Sequence, residues 1–485
     1  MPSIARRDRL ESLGAAGFLP VLFANLVPLV GVVRLGWDPA TLAAVYAVEA
    51  VVSVPLAGAT ALFAARPPPE DRDSGVISVG ESPLASKRGA VRPVAWLPPV
   101  YPRNVPFAAA VCGATAWLGL FVGVAFSQVF DVSALLASPE VLASALALVA
   151  GQAVDTAGDY FGRERYAETS PYAVVETPAR RGFFLVFALF ALPSLHAAAG
   201  GVAVLAGVVA VKLVVEWSAF RATHGDDGSA GGRLTGWLSG PSEAAADPDP
   251  IEVPDAEPDA EIPVHRRAAV ATAVLRTLTG VAPAYATGFF IVWIAAFGLF
   301  VGDASGTVVV WSAVAVASLY LAALAVNVAG FALAHAPIEY RRYGDRLVAY
   351  DAWLDEPQWA ASVDRLRGVS VLHTRFPDRA FDARTVELTA GVGDDERERV
   401  VGPVADGERL VSAFDLPVRS TSLPAMDRRI AAFAVAVGVA VTGGAVALIA
   451  GPWGDPGTTV QVGFLLPFLV WPTRFLWRQA YVEPE

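Results

Sequence analysis

Residues 308–334 read VVVWSAVAVASLYLAALAVNVAGFALA, a stretch that contains no charged side chain. A helix needs roughly 20 predominantly apolar residues to cross the hydrocarbon core of a bilayer. The apolar residues here would occupy every side of a helix rather than one stripe, which is typical of a helix surrounded by lipid or by other apolar helices. The stretch therefore predicts a transmembrane helix.

Further apolar runs of similar character occur along the chain. The stretch 183–217 is too long for one straight span and is interrupted by Pro193 and Gly200-Gly201. We divide it into a tight hairpin of two spans, and one strongly bent span is the alternative. The sequence thus predicts a mostly α-helical, polytopic membrane protein with about ten transmembrane helices. The other runs are 15–34, 40–65, 106–127, 140–158, 183–198, 200–217, 281–301, 430–450 and 458–473.

The composition agrees with a membrane protein. Hydrophobic residues make up 54% and charged residues 17% of the chain, whereas soluble domains contain roughly 25% charged residues. The net charge of −11 indicates that nucleic acid is not the main partner, because binding to phosphates requires basic surfaces. The acidic, lysine-poor composition favours a halophilic cell with a salt-rich cytoplasm. A GC-rich codon bias, which also favours Arg, Ala and Val, is the alternative.

The basic residues predict the orientation, since Lys and Arg concentrate on the cytoplasmic side of membrane proteins. With the N-terminus inside, nearly all of the 36 basic residues fall in cytoplasmic segments, and only Arg34 and Lys212 do not. We therefore expect a multi-pass protein of the cell membrane with both termini in the cytoplasm. An odd number of spans between 183 and 217 would move everything after them to the opposite side.

Polar segments divide the chain into domains. The stretch SEAAADPDPIEVPDAEPDAEIP, at 242–263, contains eight acidic residues and no basic one, so it cannot bury a core and predicts a disordered linker. Short β-type runs at 347–350, 359–363, 369–372 and 385–388, followed by an amphipathic segment at 406–414, predict a small α+β domain. The expected domains are a six-helix transmembrane module at 1–221, a disordered acidic linker at 222–265, two transmembrane helices at 266–335, a cytoplasmic β-domain at 336–427 and two transmembrane helices at 428–485.

Several polar residues lie within the predicted spans, where ionisable groups are costly and often functional. Glu49 and Lys212 lie at similar depths, and Glu216 follows Lys212 by one helical turn. A Glu49–Lys212 ion pair would serve either as a transport or proton-relay element or as a structural lock between two helices.

Two further groups of polar residues have open interpretations. Gln152 and Asp155 share one helical face and line a polar cavity, or Asp155 lies at the membrane interface. Asn25, between Pro20 and Pro28, loosens the first span as in the discontinuous helices of transporters. A proline kink satisfied by neighbouring helices is the alternative for that span.

Two arginine pairs flank the expected β-domain next to predicted spans, namely Arg341-Arg342 and Arg428-Arg429. Juxtamembrane basic residues contact anionic lipid headgroups. The alternative is that these pairs only anchor the topology as positive-inside charges.

Catalytic motifs do not stand out. The sequence has no phosphate-binding, dinucleotide-binding, zinc-protease or nucleophile-elbow motif. The five histidines show no metal-ligand spacing, and Cys112 is the only cysteine. We expect no cofactor, no metal and no enzymatic activity.

The N-terminal residues resemble an uncharacterised family of multi-pass membrane proteins common in haloarchaea, which implies an archaeal, halophilic source. The resemblance rests on NLVP at 25–28, GWD at 36–38, Tyr46 with Glu49, and the Lys212/Glu216 pair. That family often carries histidines in its third span, and 106–127 has none here. The resemblance implies no activity.

The C-terminal residues look like those of bacterial PH-domain membrane proteins, which place a PH-like β-domain directly after a pair of spans. The matching stretches are YGDRLV at 343–348, VDRLRGV at 363–369 and ARTVEL at 383–388. The resemblance implies a scaffold or interaction module without catalysis.

The leading hypothesis is a membrane scaffold or sensor that binds the lipid bilayer and a cytoplasmic protein partner through 336–427. The alternative is a secondary transporter or permease-like protein that uses Glu49 and Lys212.

Overall fold

A computed structural model of the chain describes the ranges 38–67, 82–127, 137–190, 250–300, 306–373, 375–390, 397–418, 425–452 and 472–481, with short pieces between them. The chain divides into two compact units. Unit 1 comprises Met1–Gly80, Arg92–Pro248 and Leu299–Gly302, and unit 2 comprises Glu81–Val91, Asp249–Gly298 and Asp303–Glu485.

Unit 1 is helical. Its described helices are α1 (Pro39–Ala61), α2 (Val105–Ser127), α3 (Pro139–Asp155) and α4 (Pro171–Phe190). Helix α1 packs against the other three. Ala57 and Ala61 of α1 join Val111 and Val175 in one buried cluster, and such small side chains allow apolar helices to approach closely.

The C-terminal end of α1 is capped by the segment that leads into α2. The Asn104 side chain is buried and donates to the carbonyl oxygens of Ala61 at 2.9 Å and Ala64 at 2.8 Å. Carbonyls in the last turn of a helix have no partner within that helix, so the Asn104 amide supplies a donor to Ala61 and holds the carbonyl of Ala64 just beyond the helix end.

Unit 2 combines apolar helices with two antiparallel sheets. Its strands are β1 (Ala260–Pro263), β2 (Ile338–Tyr343), β3 (Arg346–Asp351), β4 (Glu356–Ser362), β5 (Leu366–Val371), β6 (Arg384–Ala390) and β7 (Arg397–Val404). Its helices are α5 (Arg266–Arg276), α6 (Ala282–Phe300), α7 (Gly306–His335), α8 (Phe376–Ala380), α9 (Gly407–Ala413), α10 (Arg428–Ala450) and α11 (472–479). A π-helical turn, Thr277–Val281, joins α5 to α6.

The strands form a β-domain, which we define as β1 to β7 with α8 and α9. One sheet has the order β1-β2-β3-β4, and the other has the order β5-β6-β7. Apolar side chains of the strands form a shared core that contains Tyr340, Leu347, Val386 and Val401, and Phe414 closes the core after α9. In β2 the buried residues alternate, as in a sheet with one buried face.

The four predicted β-type runs and the predicted amphipathic helix all lie on observed elements, namely β3, β4, β5, β6 and α9. Strands β1, β2 and β7 were not predicted. Strand β1 lies in the last residues of the stretch that was expected to be a disordered linker, and Ile262 in it is buried opposite Tyr340. The linker expectation is therefore wrong for 260–263, because pairing with β2 satisfies the backbone and buries Ile262 despite the acidic neighbours.

Among the described residues, six helices are long and apolar enough to cross a membrane. They coincide with the expected spans at 40–65, 106–127, 140–158, 281–301, 308–334 and 430–450. Apolar side chains face outward on them, as in α7, where Trp311 is 69% and Leu321 is 62% exposed. The expected spans at 15–34, 183–198, 200–217 and 458–473 lie wholly or partly outside the described residues, so the count of ten stays a prediction.

Candidate functional site

The polar residues predicted to act inside the membrane fall into two groups. Glu49 lies on α1 and is partly buried, and Gln152 lies on α3, where its amide donates to the carbonyl oxygen of Ser53 at 3.4 Å. Gln152 therefore links two helices of unit 1. Asp155 is the last residue of α3. Asn25, Lys212 and Glu216 lie outside the described residues, so the Glu49–Lys212 pair stays a prediction.

Arg341, one of the basic residues expected to face lipid, is engaged within the β-domain. Its guanidinium lies 3.2 Å from the carboxylate of Glu261 and 3.1 Å from that of Glu339, and it stacks over the ring of Tyr350 at 3.8 Å. Burial is the main cause that raises the pKa of the Glu339 carboxyl. The pKa of the Glu261 carboxyl is lowered, chiefly by its hydrogen bond with Glu339. Arg341 thus joins β1, β2 and β3.

Arg342 also has partners within unit 2. It donates to the carbonyl oxygen of Gly344 and lies 2.9 Å from the carboxylate of Asp415, just after α9. The second predicted pair, Arg428-Arg429, begins α10, whose N-cap is Asp427. The two arginine pairs therefore have different surroundings, although the sequence made them look alike.

The most deeply buried cation of the β-domain region is Lys87, which comes from the chain segment between α1 and α2 and belongs to unit 2. Its side-chain ammonium pairs with the carboxylate of Asp351, and the two side chains are 2% and 0% exposed. The same ammonium donates to the carbonyl oxygens of Leu333 and Ala334. We call Lys87, Asp351 and these two carbonyls the Lys87 joint.

Each partner in the Lys87 joint is held from a different element. Leu333 and Ala334 lie in the last turn of α7, where unpaired carbonyls and the helix dipole favour a cation. Asp351 ends β3, and its other carboxylate oxygen accepts the backbone N–H groups of Trp353 at 2.8 Å and Leu354 at 2.9 Å. Lys87 consequently ties the end of a candidate membrane helix to the β3–β4 turn.

The residues beside Lys87 dock on the same part of the β-domain. The Gln358 side chain accepts from the backbone N–H of Arg88 at 2.9 Å and donates to the carbonyl oxygen of Arg88 at 3.2 Å. Gly89 has a φ of +95°, and a Cβ there would meet side-chain atoms of Leu354 and Glu356 at 3.1 Å. A residue with a side chain would therefore be strained at this position.

Two opposing effects act on the pKa of Lys87 in the Lys87 joint. Burial lowers the pKa of the Lys87 ammonium, and the hydrogen bond and charge of Asp351 oppose that shift. A buried charge is tolerated only when it is paired and hydrogen-bonded, and Lys87 has both kinds of partner. The contacts of Lys87 hold three separate segments of unit 2 together, so the geometry fits a mechanical connection.

Sequence reasoning missed the Lys87 joint, although one signal was present. Lys87 is one of two lysines in a chain whose other bases are arginines. A compact ammonium can approach two adjacent helix carbonyls and a carboxylate together, whereas the planar guanidinium of arginine needs a wider fork of acceptors. Among the described residues, no group of three or more His, Cys, Asp or Glu side chains is placed to hold a metal ion.

Comparison with known proteins gives one match. Residues 9–232 match a family of unknown function (DUF6498). The match covers most of unit 1 together with the segment that carries Lys87, and it ends before β1. No curated protein and no solved structure matches the chain.

Proposed function

We propose that the chain is a multi-pass membrane scaffold or sensor whose β-domain is a PH-like interaction module on the cytoplasmic side. The observation that carries the proposal is the Lys87 joint, because it couples the end of α7 to the β-domain through a buried ion pair. A domain fixed in this way moves with the helix, so a change in the membrane region reaches the surface that a partner contacts.

The strand arrangement supports the PH-like part of the proposal. A four-stranded and a three-stranded antiparallel sheet share one core, and a helix follows the last strand. The β-domain is not continuous along the chain, because β1 precedes α5, α6 and α7 whereas β2 follows them. The halophilic, archaeal source and the orientation rest on the composition and the distribution of basic residues.

A partner surface is available on the β-domain. Trp353, in the β3–β4 turn beside Asp351, is 49% exposed. Tryptophan is enriched among the residues that dominate binding energy at protein interfaces. Trp353 lies next to the Lys87 joint, so a movement of α7 would be transmitted to this side chain.

The experiment compares Trp353→Ala with Trp96→Ala in the full chain, purified from native membranes at high salt. Trp96 is 79% exposed and lies outside the β-domain, so it is a matched control. We expect a stoichiometric protein partner that is lost with Trp353→Ala and retained with Trp96→Ala. Solute flux in proteoliposomes that Glu49→Gln abolishes, without any such partner, would support the transporter and refute the scaffold.

A further inference from the structure

Unit 2 contains a cavity of about 620 Å³ where α5, α8, α10 and α11 meet. This volume lies within the range of small-ligand sites. Four arginines from three separate stretches of chain line it, namely Arg276, Arg375, and the pair Arg474 and Arg478 of α11. Sequence reasoning did not single out any of the four, because they are far apart along the chain.

The arginines leave the cavity with an excess of positive charge. Arg375 donates to the Thr272 hydroxyl at 3.0 Å, and its nearest carboxylate, that of Asp378, is 3.9 Å away. Burial lowers the pKa of the Arg375 guanidinium. Arg276, Arg474 and Arg478 have no carboxylate partner among the described residues. Guanidinium groups gathered in this way favour a phosphate, which accepts paired N–H bonds from them.

Apolar side chains also line the cavity. Ala434 and Val435, in the second turn of α10, and Val281, at the end of the π-helical turn, line it. Trp477 of α11 forms a wall and packs edge-to-face on Phe376 of α8, with ring centroids 5.3 Å apart. A ligand that fits this cavity therefore has an anionic end and an apolar end.

The position of the cavity matches the surface of a membrane. Helices α5, α6 and α10 belong to candidate spans, whereas Arg375, Phe376 and Pro377 belong to the β-domain. The cavity thus lies beside the N-terminal parts of two candidate spans, where these and the β-domain line the same space. Basic pockets between transmembrane helices at this level bind the headgroups of anionic lipids.

We propose that this cavity binds the phosphate headgroup of an anionic membrane lipid, with its acyl chains along α10. The arginines contact the phosphate oxygens, and the apolar wall contacts the glycerol and the first methylenes. A bound lipid would connect the β-domain to α5, α10 and α11, at a place separate from the Lys87 joint.

The test uses the full chain in detergent, stripped of lipid and titrated with phosphatidylglycerol or zwitterionic phosphatidylcholine. Native mass spectrometry counts the lipids that remain bound. We expect phosphatidylglycerol to bind more tightly than phosphatidylcholine. The double substitution Arg474→Gln/Arg478→Gln should weaken phosphatidylglycerol binding at least about tenfold, because it removes two of the four guanidinium groups that would bind the phosphate.

Two further variants separate the cavity from general surface charge. A Cβ at Gly280 would meet no atom within 4 Å, so Gly280→Leu fills cavity space while it keeps every arginine. This variant should also weaken phosphatidylglycerol binding. Arg397→Gln removes an exposed arginine at the start of β7 and should leave binding unchanged.

Three outcomes would overturn the proposal. Equal binding of the two lipids would show that the charge of the headgroup is not recognised. Phosphatidylglycerol binding that neither cavity variant changes would place the lipid elsewhere. Millimolar inorganic phosphate that displaces phosphatidylglycerol and binds alone with the same arginine dependence would identify a soluble phosphate ligand instead.

Discussion

At the scale of single residues, the Lys87 joint combines a high desolvation cost with the contacts that offset it. An ammonium and a carboxylate that are almost completely buried each lose several kcal/mol of hydration. Hydrogen bonds offset this cost, because the ammonium has two helix carbonyls and one carboxylate, and the carboxylate has two backbone N–H groups besides. Removing one partner leaves the other charge buried without compensation.

We therefore expect Lys87→Met to destabilise the protein by about 3–5 kcal/mol, since Asp351 stays buried without its cation. The double substitution Lys87→Met/Asp351→Asn should recover part of this loss, because a neutral amide retains a side-chain oxygen for the Trp353 and Leu354 N–H groups. Thermal unfolding in detergent measures both. Arg88→Met, whose backbone makes the bonds to Gln358, is the control, and equal stability of Lys87→Met and wild type would refute the role of the joint.

Asp378 gives a prediction on pH. It is fully buried in α8, and burial raises the pKa of its carboxyl above the ordinary 3.8. The folded state therefore binds the proton more tightly than the unfolded state, so stability from this group rises as pH falls through the raised pKa towards 3.8. Asp378→Asn should raise the unfolding midpoint near pH 7, and this gain should be smaller at a pH close to the ordinary pKa of 3.8. A gain that is the same at both pH values would contradict the assignment.

At the scale of elements, β1 changes the boundary of the β-domain. Residues 260–263 pair with β2 in antiparallel register, and the backbone N–H of Val264 donates to the carbonyl oxygen of Ile338 at 3.0 Å. The stretch is acidic, yet Glu261 lies opposite Arg341 and pairs with it. Composition alone predicts disorder here, whereas the partner strand supplies both the hydrogen bonds and the opposite charge.

Hydrogen exchange tests this boundary. The amides of 260–264 should be protected to a degree similar to those of β2, and those of 250–258 should exchange faster. Ile262→Ala should reduce the protection and destabilise the protein by about 2–5 kcal/mol, because it removes a buried aliphatic side chain. Glu257→Ala, an exposed change in the same acidic stretch, is the control. Rapid exchange throughout 260–264 would show that these residues belong to a disordered linker and not to the β-domain.

At the scale of the whole molecule, the predicted orientation places the β-domain in the cytoplasm. Cysteines introduced at Ala199, Ala304 and Gly454, in a Cys112→Ser background, should react with an impermeant thiol reagent in intact cells. Asp382→Cys, at a β-domain position whose side chain is 91% exposed, should react only after permeabilisation. Labelling at Ala304 that also requires permeabilisation would show that the number of spans before it is wrong.

The sequence predicted some elements better than others for physical reasons. Strands β3 and β4 follow turn signals and carry apolar runs, so both were found. Strand β7, which reads RERVVGPV, begins with three charged residues and contains a glycine and a proline, and these hide its four buried positions. Strand β1 has one strongly apolar side chain in four residues, too few for a pattern.

The candidate sites also divide into those that the sequence indicated and those that it did not. The sequence singled out Glu49 and the arginine pairs because a charge in or beside an apolar run is visible locally, and their proposed roles stay predictions. The Lys87 joint combines residues from positions 87, 333, 334 and 351, and the cavity combines arginines from positions 276 to 478. No local pattern connects residues at such separations.

The sequence by itself determined that long apolar stretches such as 308–334 form helices suited to a membrane, because backbone polar groups in hydrocarbon must be satisfied within the segment. It also determined that a β-rich domain follows α7, since alternating apolar residues need a sheet with one buried face. Only the tertiary structure decided that Lys87 caps α7 and that β1 completes the first sheet. Both depend on the burial of charge or backbone against residues distant in the chain, and that burial exists only once the chain has folded.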